Sequence, residues 1–493
     1  MRYAMMVDLD ECIGCQACVS ACKEQWDSGS GAARNWVHTV EHGVRGNDLG
    51  IAFYPGLCMQ CAAHPCTSDC PTNATFMNDR GTVVVDPDVC IGCGNCLSLC
   101  PYGARHIDET KGIVEKCNLC EPFVLRGEEP ACVRTCLAEC RIFGDLDEPG
   151  SRVVRAISER GARSLVTDEV DVGPKVTFAG AARRREILAH GAVRRPQRSV
   201  LTRVWTEYSL PLSRFVTPAV AASSIAGGLV VNWIGRRREV AEAEAEAESQ
   251  GGRAGASLGN GTAATATARG ELHRHRTGMR LLHWWNSVSW VVLLTSGTAL
   301  LSSRGFALFG TAFPDWLAGV AGGRGALMRW HVLWGLAWAA VIVPFFLLFK
   351  EGGREALHEI RLTKDDLRWL VLKPLSLLGR AKGPLPPQDK YNAGQKVFAL
   401  SAVLGTATII VTGLVMTFHV GPWWAVAAAI VAHKLAIAFA LMGLSVHLTM
   451  AAVVREERPA LGSMITGRID RDHALAHSTR WVESIEKKES SRE

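Results

Sequence analysis

The sequence predicts an α+β domain held by thiol ligands at its N-terminus, then one membrane anchor helix, then an all-α bundle of four transmembrane helices. Three observations carry this. All 17 cysteines fall at or before Cys140. Five apolar segments follow them. A low-complexity stretch from Glu239 to about His273, first Ala and Glu and then Gly, Ala, Ser and Thr, separates the first of these from the other four. A length of 493 residues suits two or three domains. The 48% apolar content and 15 tryptophans exclude a disordered chain, a collagen-like fibre and a small disulfide-stapled domain. A net charge of +6 is too dilute over this length to argue for nucleic acid, and no such partner is expected.

In chain order, residues 1–195 form the cysteine-rich domain and 196–238 the anchor. Residues 239–272 read as a flexible cytoplasmic linker reaching roughly 30 Å, and 273–493 as the helical domain with a tail. Phe215 to Gly235 carries no charge and lies between Arg214 and Arg236-Arg237-Arg238. Leu281–Ser303, Trp330–Phe349, Val397–Phe418 and Trp423 to about Val454 are each near or above the ~20 residues that cross a hydrocarbon core. Lys and Arg number 8 in Arg236–Arg280, 10 in Lys350–Lys396 and 8 from Val454 onward, against 3 in Arg304–Arg329 and none in His419–Trp424. The positive-inside rule makes the first three cytoplasmic. A single crossing before the linker then puts the cysteine-rich domain on the periplasmic side of a multi-pass membrane protein. The opening MRYAMMVDLDECIGC has no apolar h-region, so export would rest on a partner that carries a signal.

Cys12, Cys15, Cys18 and Cys22 form C-x2-C-x2-C-x3-C, and Cys90, Cys93, Cys96 and Cys100 repeat it before Pro101. Cys58, Cys61, Cys66 and Cys70 form C-x2-C-x4-C-x3-C before Pro71, and Cys117, Cys120, Cys132 and Cys136 form C-x2-C-x11-C-x3-C. Three close thiolates wrap a corner of a [4Fe–4S] cube while the fourth reaches a neighbouring cluster. Zinc sites pair two short knuckles and lack the third close cysteine and the C-x3-CP ending. The expectation is an α+β ferredoxin-like domain with four [4Fe–4S] clusters. Cys140 is left over, and spacing prefers Cys136 as the last ligand although Leu137 stands where a proline is expected.

Ionisable residues within membrane helices are functional suspects. His283 opens helix one, His331 opens helix two, and His433 and His447 share helix four. The last pair lies 14 residues apart, a rise of roughly 21 Å with directions about 40° apart. One seam thus carries two histidines at two depths. This predicts two bis-histidine b haems, His283 with His447 towards the cytoplasm and His331 with His433 towards the outside. His419, His273 and His275 have no matching partner and read as structural or solvated.

Residues 1–146 resemble the four-cluster ferredoxin subunits of membrane-bound molybdopterin oxidoreductases. That family, which serves formate dehydrogenases and reductases of dimethyl sulfoxide, thiosulfate, polysulfide and tetrathionate, pairs motif one with four and two with three. The resemblance implies clusters on Cys12, Cys15, Cys18 with Cys136; on Cys117, Cys120, Cys132 with Cys22; on Cys58, Cys61, Cys66 with Cys100; and on Cys90, Cys93, Cys96 with Cys70. Residues 271–493 resemble the cytochrome b subunit of respiratory formate dehydrogenase through Lys390-Tyr391-Asn392-Ala393-Gly394-Gln395-Lys396, His433 and His447, and Gly462-Ser463-Met464-Ile465 leading to Gly467. This resemblance implies the same haem ligands and a quinone pocket at Asn392, Gln395 and His447. Asn392 also reads as a helix cap, and Lys434 as either a haem-propionate partner or a snorkelling side chain. Trp205–Arg238 resembles the anchor of the formate dehydrogenase iron–sulfur subunit, so the sequence looks like two subunits joined. Arg141-Ile142-Phe143-Gly144-Asp145-Leu146 resembles the sulfur and dimethyl sulfoxide reductase branch instead.

The expected function is electron transfer without a catalytic residue of its own. Electrons would pass from a molybdopterin (Mo or W) subunit through four clusters and two b haems to the quinone pool, with formate dehydrogenase as the leading assignment. Each electron crossing against the potential would store about 2.3 kcal/mol per 100 mV. The alternative is the quinol-oxidising arm of a thiosulfate, polysulfide or tetrathionate-type reductase. A redox sensor is a third class, but it would carry an output domain and would not need two haems at matched depths.

Overall fold

The computed structural model describes residues 2–29, 31–251, 270–301, 310–377, 380 and 384–490. The polypeptide forms two compact units. One comprises Met1–Pro211, Thr295–Val332 and Thr412–Ala432, and the other Leu212–Leu294, Leu333–Val411 and His433–Glu493.

The first unit is built on a four-stranded sheet in the order Arg141–Asp145, Tyr3–Asp8, Thr177–Ala179, Arg163–Ser164. Tyr3–Asp8 is antiparallel to Arg141–Asp145 and parallel to Thr177–Ala179. Its run of Ala4, Met5, Met6 and Val7 is fully buried because both faces are covered. Three hairpins extend from this body: Asn35–Val44 with Asn47–Leu57, Thr75–Met77 with Val83–Val85, and His106–Asp108 with Ile113–Glu115. Met5, Val7, Tyr54, Leu57, Leu119 and Phe178 share its main core. The domain runs past the expected boundary at residue 195, since Gln197 N–H donates to the Ser98 carbonyl and Arg198 pairs with the buried Asp69 at 2.5 Å.

The second unit is helical. The bundle helices span Thr277–Leu300, Arg324–Leu348, Ala393–Phe418 and Trp423–Leu448. Leu282, Trp338 and Ile342 form a buried knot with Trp285, Trp290, Phe345 and Ile409 packed around it. Among the described residues, four helices are long and apolar enough to cross a membrane: Val204–Ala241, Arg324–Leu348, Ala393–Phe418 and Trp423–Val453. Leu333, Leu347, Leu404 and Val411 stand exposed on them, as lipid contact requires. Thr277–Leu300, expected as the first crossing, is long enough but is not among them. Asn286, Ser287, Ser289, Thr295, Ser296 and Thr298 dilute its apolar character.

The linker differs from expectation. The anchor helix runs from Leu210 to Gly251, through the Ala/Glu run, with Pro218 inside it. Ala and Glu are strong helix formers, and no Gly or Pro interrupts the helix between Gly235 and its last residue. Glu271–His273 pairs with Arg468–Asp470 as a strand, so only residues 252–269 of the expected linker lie outside the described residues. Asn232 Nδ2 donates to the Val453 carbonyl at 2.8 Å, and its Oδ1 accepts from Arg455 N–H at 2.9 Å. These bonds tie the anchor to the end of the fourth bundle helix.

Candidate metal centres

Each cysteine motif folds the same way locally. Its third cysteine is the second residue of a helix: Cys18 in Ala17–Trp26, Cys66 in Pro65–Ser68, Cys96 in Asn95–Ser98 and Cys132 in Ala131–Arg134. The preceding C-x2-C loop turns on left-handed residues. Gly14 (φ +70°) and Gly92 (φ +61°) are required there twice over, since a Cβ would lie 2.4 Å from the Phe53 ring or 2.3 Å from the Gly112 carbonyl oxygen.

The folding gathers the thiols into four sets. Cys12, Cys15, Cys18, Cys136 and Cys140 surround one cavity. Cys70, Cys90, Cys93 and Cys96 surround another. Cys22 feels the charges of Cys117, Cys132 and Cys120, and Cys61 those of Cys58, Cys100 and Cys66. Cys140, left over in the sequence, stands 3.4 Å from Cys136. It also hydrogen-bonds Cys12, which draws the Cys12 thiol down.

These sets suit a polynuclear iron cluster. The thiols stand around shared cavities. Burial pushes Cys100 and Cys132 up to about 11, and burial followed by the Cys132 charge pushes Cys117 up to about 12. As thiolates packed this closely, they would call for a cationic core. N–H groups already point at sulfur: Ala104 to Cys100 at 3.3 Å, Val114 to Cys90 and Leu119 to Cys117 at 3.4 Å, and the Trp26 indole to Cys120 at 3.4 Å. Such bonds tune cluster potentials.

In the same unit the Cys70/Cys90/Cys93/Cys96 set abuts the membrane helices. Cys93 packs against Val426 and Ile430, and Cys70, Ala74 and Val89 pack with Met328. Arg329 pairs with Asp88 at 3.2 Å. His419 seats its ring where a Cβ on Gly112 would lie, 2.7 Å from its Cγ. His331 Nδ1 shares a 2.8 Å hydrogen bond with Ser296 Oγ, and Gly297 gives the ring room. A hydrogen bond of this kind fixes the tautomer of a metal-binding imidazole and leaves Nε2 for the metal. Were His331 to hold haem, Ser296→Ala would be expected to weaken its retention by about 10–100-fold, read as lost haem per polypeptide in the purified complex.

In the second unit the rings of His283 and His447 have centroids 6.4 Å apart, close enough for one iron to bridge them. His447 stacks on Phe398 at 4.5 Å and 2°. Gly443, where a Cβ would lie 3.3 Å from Phe398, admits that ring. His433 belongs to this unit also, half a helix from His447.

Asn392 and Gln395 stand together as a reciprocal capping box at the start of the third bundle helix. Asn392 Oδ1 accepts from Gln395 N–H at 2.9 Å, and Gln395 Oε1 accepts from Asn392 N–H at 3.2 Å. Gln388 Oε1 accepts from Ala393 N–H at 2.7 Å. One turn into the helix, fully buried Lys396 donates to Asp366 at 2.9 Å and to Asp389 at 2.8 Å. Nearby His275, expected to be structural or solvated, is buried against Tyr391 at 6.1 Å. Burial, followed by the Arg274 charge, holds His275 down to about 3. Gly467 (φ +84°) closes this end, its carbonyl accepting from Arg274 and His275 N–H. Sequence reasoning passed over Arg274 and Arg105 and gave Lys396 and Arg141 no role beyond the stretches they end and begin, because a lone basic residue has no spacing signature.

Residues 274–467 match the family of prokaryotic cytochrome b561, and residues 49–146 match the 4Fe-4S dicluster domain. The protein is 38% identical over 189 residues to the B subunit of sulfite dehydrogenase from Allochromatium vinosum, covering 34% of this sequence and 78% of that one. The B subunit of tetrathionate reductase from Salmonella typhimurium is 36% identical over 181 residues (36% and 72%). The B polypeptide of polysulfide reductase from Wolinella succinogenes is 38% identical over 162 residues (32% and 84%).

Proposed function

Because this protein belongs, through its N-terminal third, to the family of iron–sulfur subunits that includes those of sulfite dehydrogenase, tetrathionate reductase and polysulfide reductase, we propose that it is a membrane arm of a sulfur-compound oxidoreductase. It joins that subunit to a cytochrome b domain in one polypeptide and exchanges electrons between a molybdopterin-bearing catalytic partner and the quinone pool. The named relatives act in sulfur chemistry, and the Arg141–Leu146 stretch points the same way, so the formate assignment takes second place. The Lys390–Lys396 stretch keeps formate as a second reading.

The observation that carries the proposal is the gathering of the cysteines into four sets, one of which packs against the membrane helices. Four [4Fe–4S] clusters and two b haems would supply one-electron transfer. The cluster ligands are those the motif pairing assigns: Cys12, Cys15, Cys18 and Cys136; Cys22, Cys117, Cys120 and Cys132; Cys58, Cys61, Cys66 and Cys100; Cys70, Cys90, Cys93 and Cys96. His283 with His447, and His331 with His433, are the haem ligands. Val426, Ile430 and Met416 exclude water around Cys93, which favours short-range transfer there. Ser296 orients His331, and Phe398 orients His447. The packing of the iron–sulfur domain with Thr295–Val332 and Thr412–Ala432, which hold the loops poorest in Lys and Arg, supports its placement on the outer side.

The quinone would bind near His447 at the N-terminus of the third bundle helix. Asn392→Ala is expected to cost about 1 kcal/mol as a lost cap and to slow quinol–haem exchange, while dithionite still reduces both haems. Slowed dithionite reduction would move the pocket elsewhere. The functional test is anaerobic addition of sulfite, tetrathionate, polysulfide or formate to native membranes, following the b-haem bands. Oxidation or reduction by a sulfur compound supports the proposal, and a response to formate alone replaces it with the second reading.

A further inference from the structure

Two arginines occupy equivalent places in the two halves of the cysteine domain. Arg105 lies five residues after Cys100, the last cysteine of its motif, and Arg141 lies five residues after Cys136. Each stands where the backbone enters a strand, before His106–Asp108 and at the head of Arg141–Asp145. The corresponding positions after Cys22 and Cys70 hold Asp27 and Thr75. Both arginines are buried, at 6% and 2% exposure.

Arg105 lines the cavity of Cys70, Cys90, Cys93 and Cys96, yet its Nη2 donates at 2.9 Å to Cys66 Sγ, a thiol of the other set, and at 2.9 Å to Thr75 Oγ1. Its Nε and Nη1 are buried with no hydrogen-bond partner among the described residues. The thiols that act on it electrostatically are Cys96, Cys66, Cys58 and Cys100, two from its own motif and two from the neighbouring one. Arg141 repeats the arrangement. It lines the cavity of Cys12, Cys15, Cys18 and Cys136 and feels Cys18 together with Cys132 of the adjoining set, while its Nη1 donates to Met5 Sδ at 3.7 Å and its Nε and Nη2 are buried with no hydrogen-bond partner among the described residues. Cys66 and Cys18 are each the third cysteine of their motif. No carboxylate pairs with either guanidinium among the described residues. A buried guanidinium stays charged and is costly unless it faces negative charge. In both cases that charge is supplied by two neighbouring thiolate sets at once.

We propose that Arg105 and Arg141 are positioning residues, each a fixed cation shared by two adjacent clusters, that raise the potentials of their own pair and leave the other pair alone. Reduction adds an electron to a cluster that is already anionic with its thiolates, and a fixed positive charge lining the ligand cavity favours the reduced form. The four sets then divide into two independently tuned halves, motifs two and three under Arg105 and motifs one and four under Arg141. The proposal rests on the cluster reading above, and iron and acid-labile sulfide assayed on the same samples separate failure of that reading from failure of this one.

The test is a potentiometric titration of the purified full complex followed by electron paramagnetic resonance. Arg105→Gln is expected to lower the midpoints of two of the four clusters by at least about tenfold in the reduction equilibrium, or about 59 mV for a one-electron couple. Arg141→Gln is expected to lower those of the other two. If either Gln variant loses iron, the Lys variant carries the test: its charge withdraws from the ligand sulfur, so the same two clusters move down by a smaller amount. Midpoints that stay put with full iron content, or all four moving together in either single variant, would overturn the proposal.

Discussion

A Cys93→Ser variant is expected to cut electron exchange between the catalytic partner and the haems by at least about 100-fold, because loss of even an outer partner of a metal ligand costs about 10–100-fold. Cys93 is buried, and Val426 and Ile430 of the fourth bundle helix pack on it together with Ile91 of its own motif. Its set is also bounded by Met328 through Cys70 and Cys90. Removing this ligand therefore acts at the junction itself. Both haems should still take electrons from a quinol or from dithionite, and the other three cluster signals should persist. Stopped-flow spectra of the haem bands after mixing with the partner's substrate check this. Undiminished haem response in a variant that has lost one cluster signal would show that electrons bypass this set.

The second large effect concerns Lys396. Its ammonium group is fully buried between Asp366, itself 2% exposed on its side chain, and Asp389, which is 38% exposed. Lys396→Met leaves Asp366 in the interior with only Thr363 N–H and Oγ1, at 2.7 and 2.8 Å, as donors. Breaking a buried pair from one side costs about 3–5 kcal/mol. Asp389 has water to turn to, so the loss centres on Asp366. Burial alone would push that carboxyl up, but Lys396 and Thr363 reverse this and hold it below the usual carboxylate range. In the wild type the contribution is present above the unfolded value of about 4 and is lost as pH falls through the lowered folded value. In the variant the folded value rises above the unfolded one, so the variant gains stability as pH falls from 7 towards about 4. The deficit should thus be largest at pH 7 and shrink on acidification, read as haem-band loss on heating. A deficit independent of pH would place the effect in packing alone.

The cysteine sets were legible in the sequence because a C-x2-C spacing fixes a local turn, and the family's pairing of distant motifs brought Cys22 to Cys117 and Cys70 to Cys90. Helix four was legible as an apolar segment carrying two histidines 14 residues apart, and both fall within Trp423–Leu448. Other features depend on long-range packing that spacing does not encode. Cys140 follows no motif and reaches the first cavity only because Arg141–Asp145 pairs with Tyr3–Asp8. Asn392 and Gln395 satisfied both a cap pattern and a quinone resemblance, and the side chains now engage each other as a cap. The Ala/Glu run looked like a linker by its low complexity, but its residues favour helix more strongly than disorder and prolong the anchor. Lys396 and Arg105 gain much of their meaning from partners 30 or more residues away, Asp366 and Cys66, and Arg141 from Cys18 across the fold.

The most direct test of the central claim, that one polypeptide conducts between a quinone site and an iron–sulfur relay, is rapid-freeze electron paramagnetic resonance of the purified complex mixed anaerobically with a quinol. The account predicts reduced b haems first and reduced iron–sulfur signals after them, with both phases slowed in Asn392→Ala and only the second abolished in Cys93→Ser. Cluster reduction that precedes the haems, or that survives unchanged in Cys93→Ser, would contradict it.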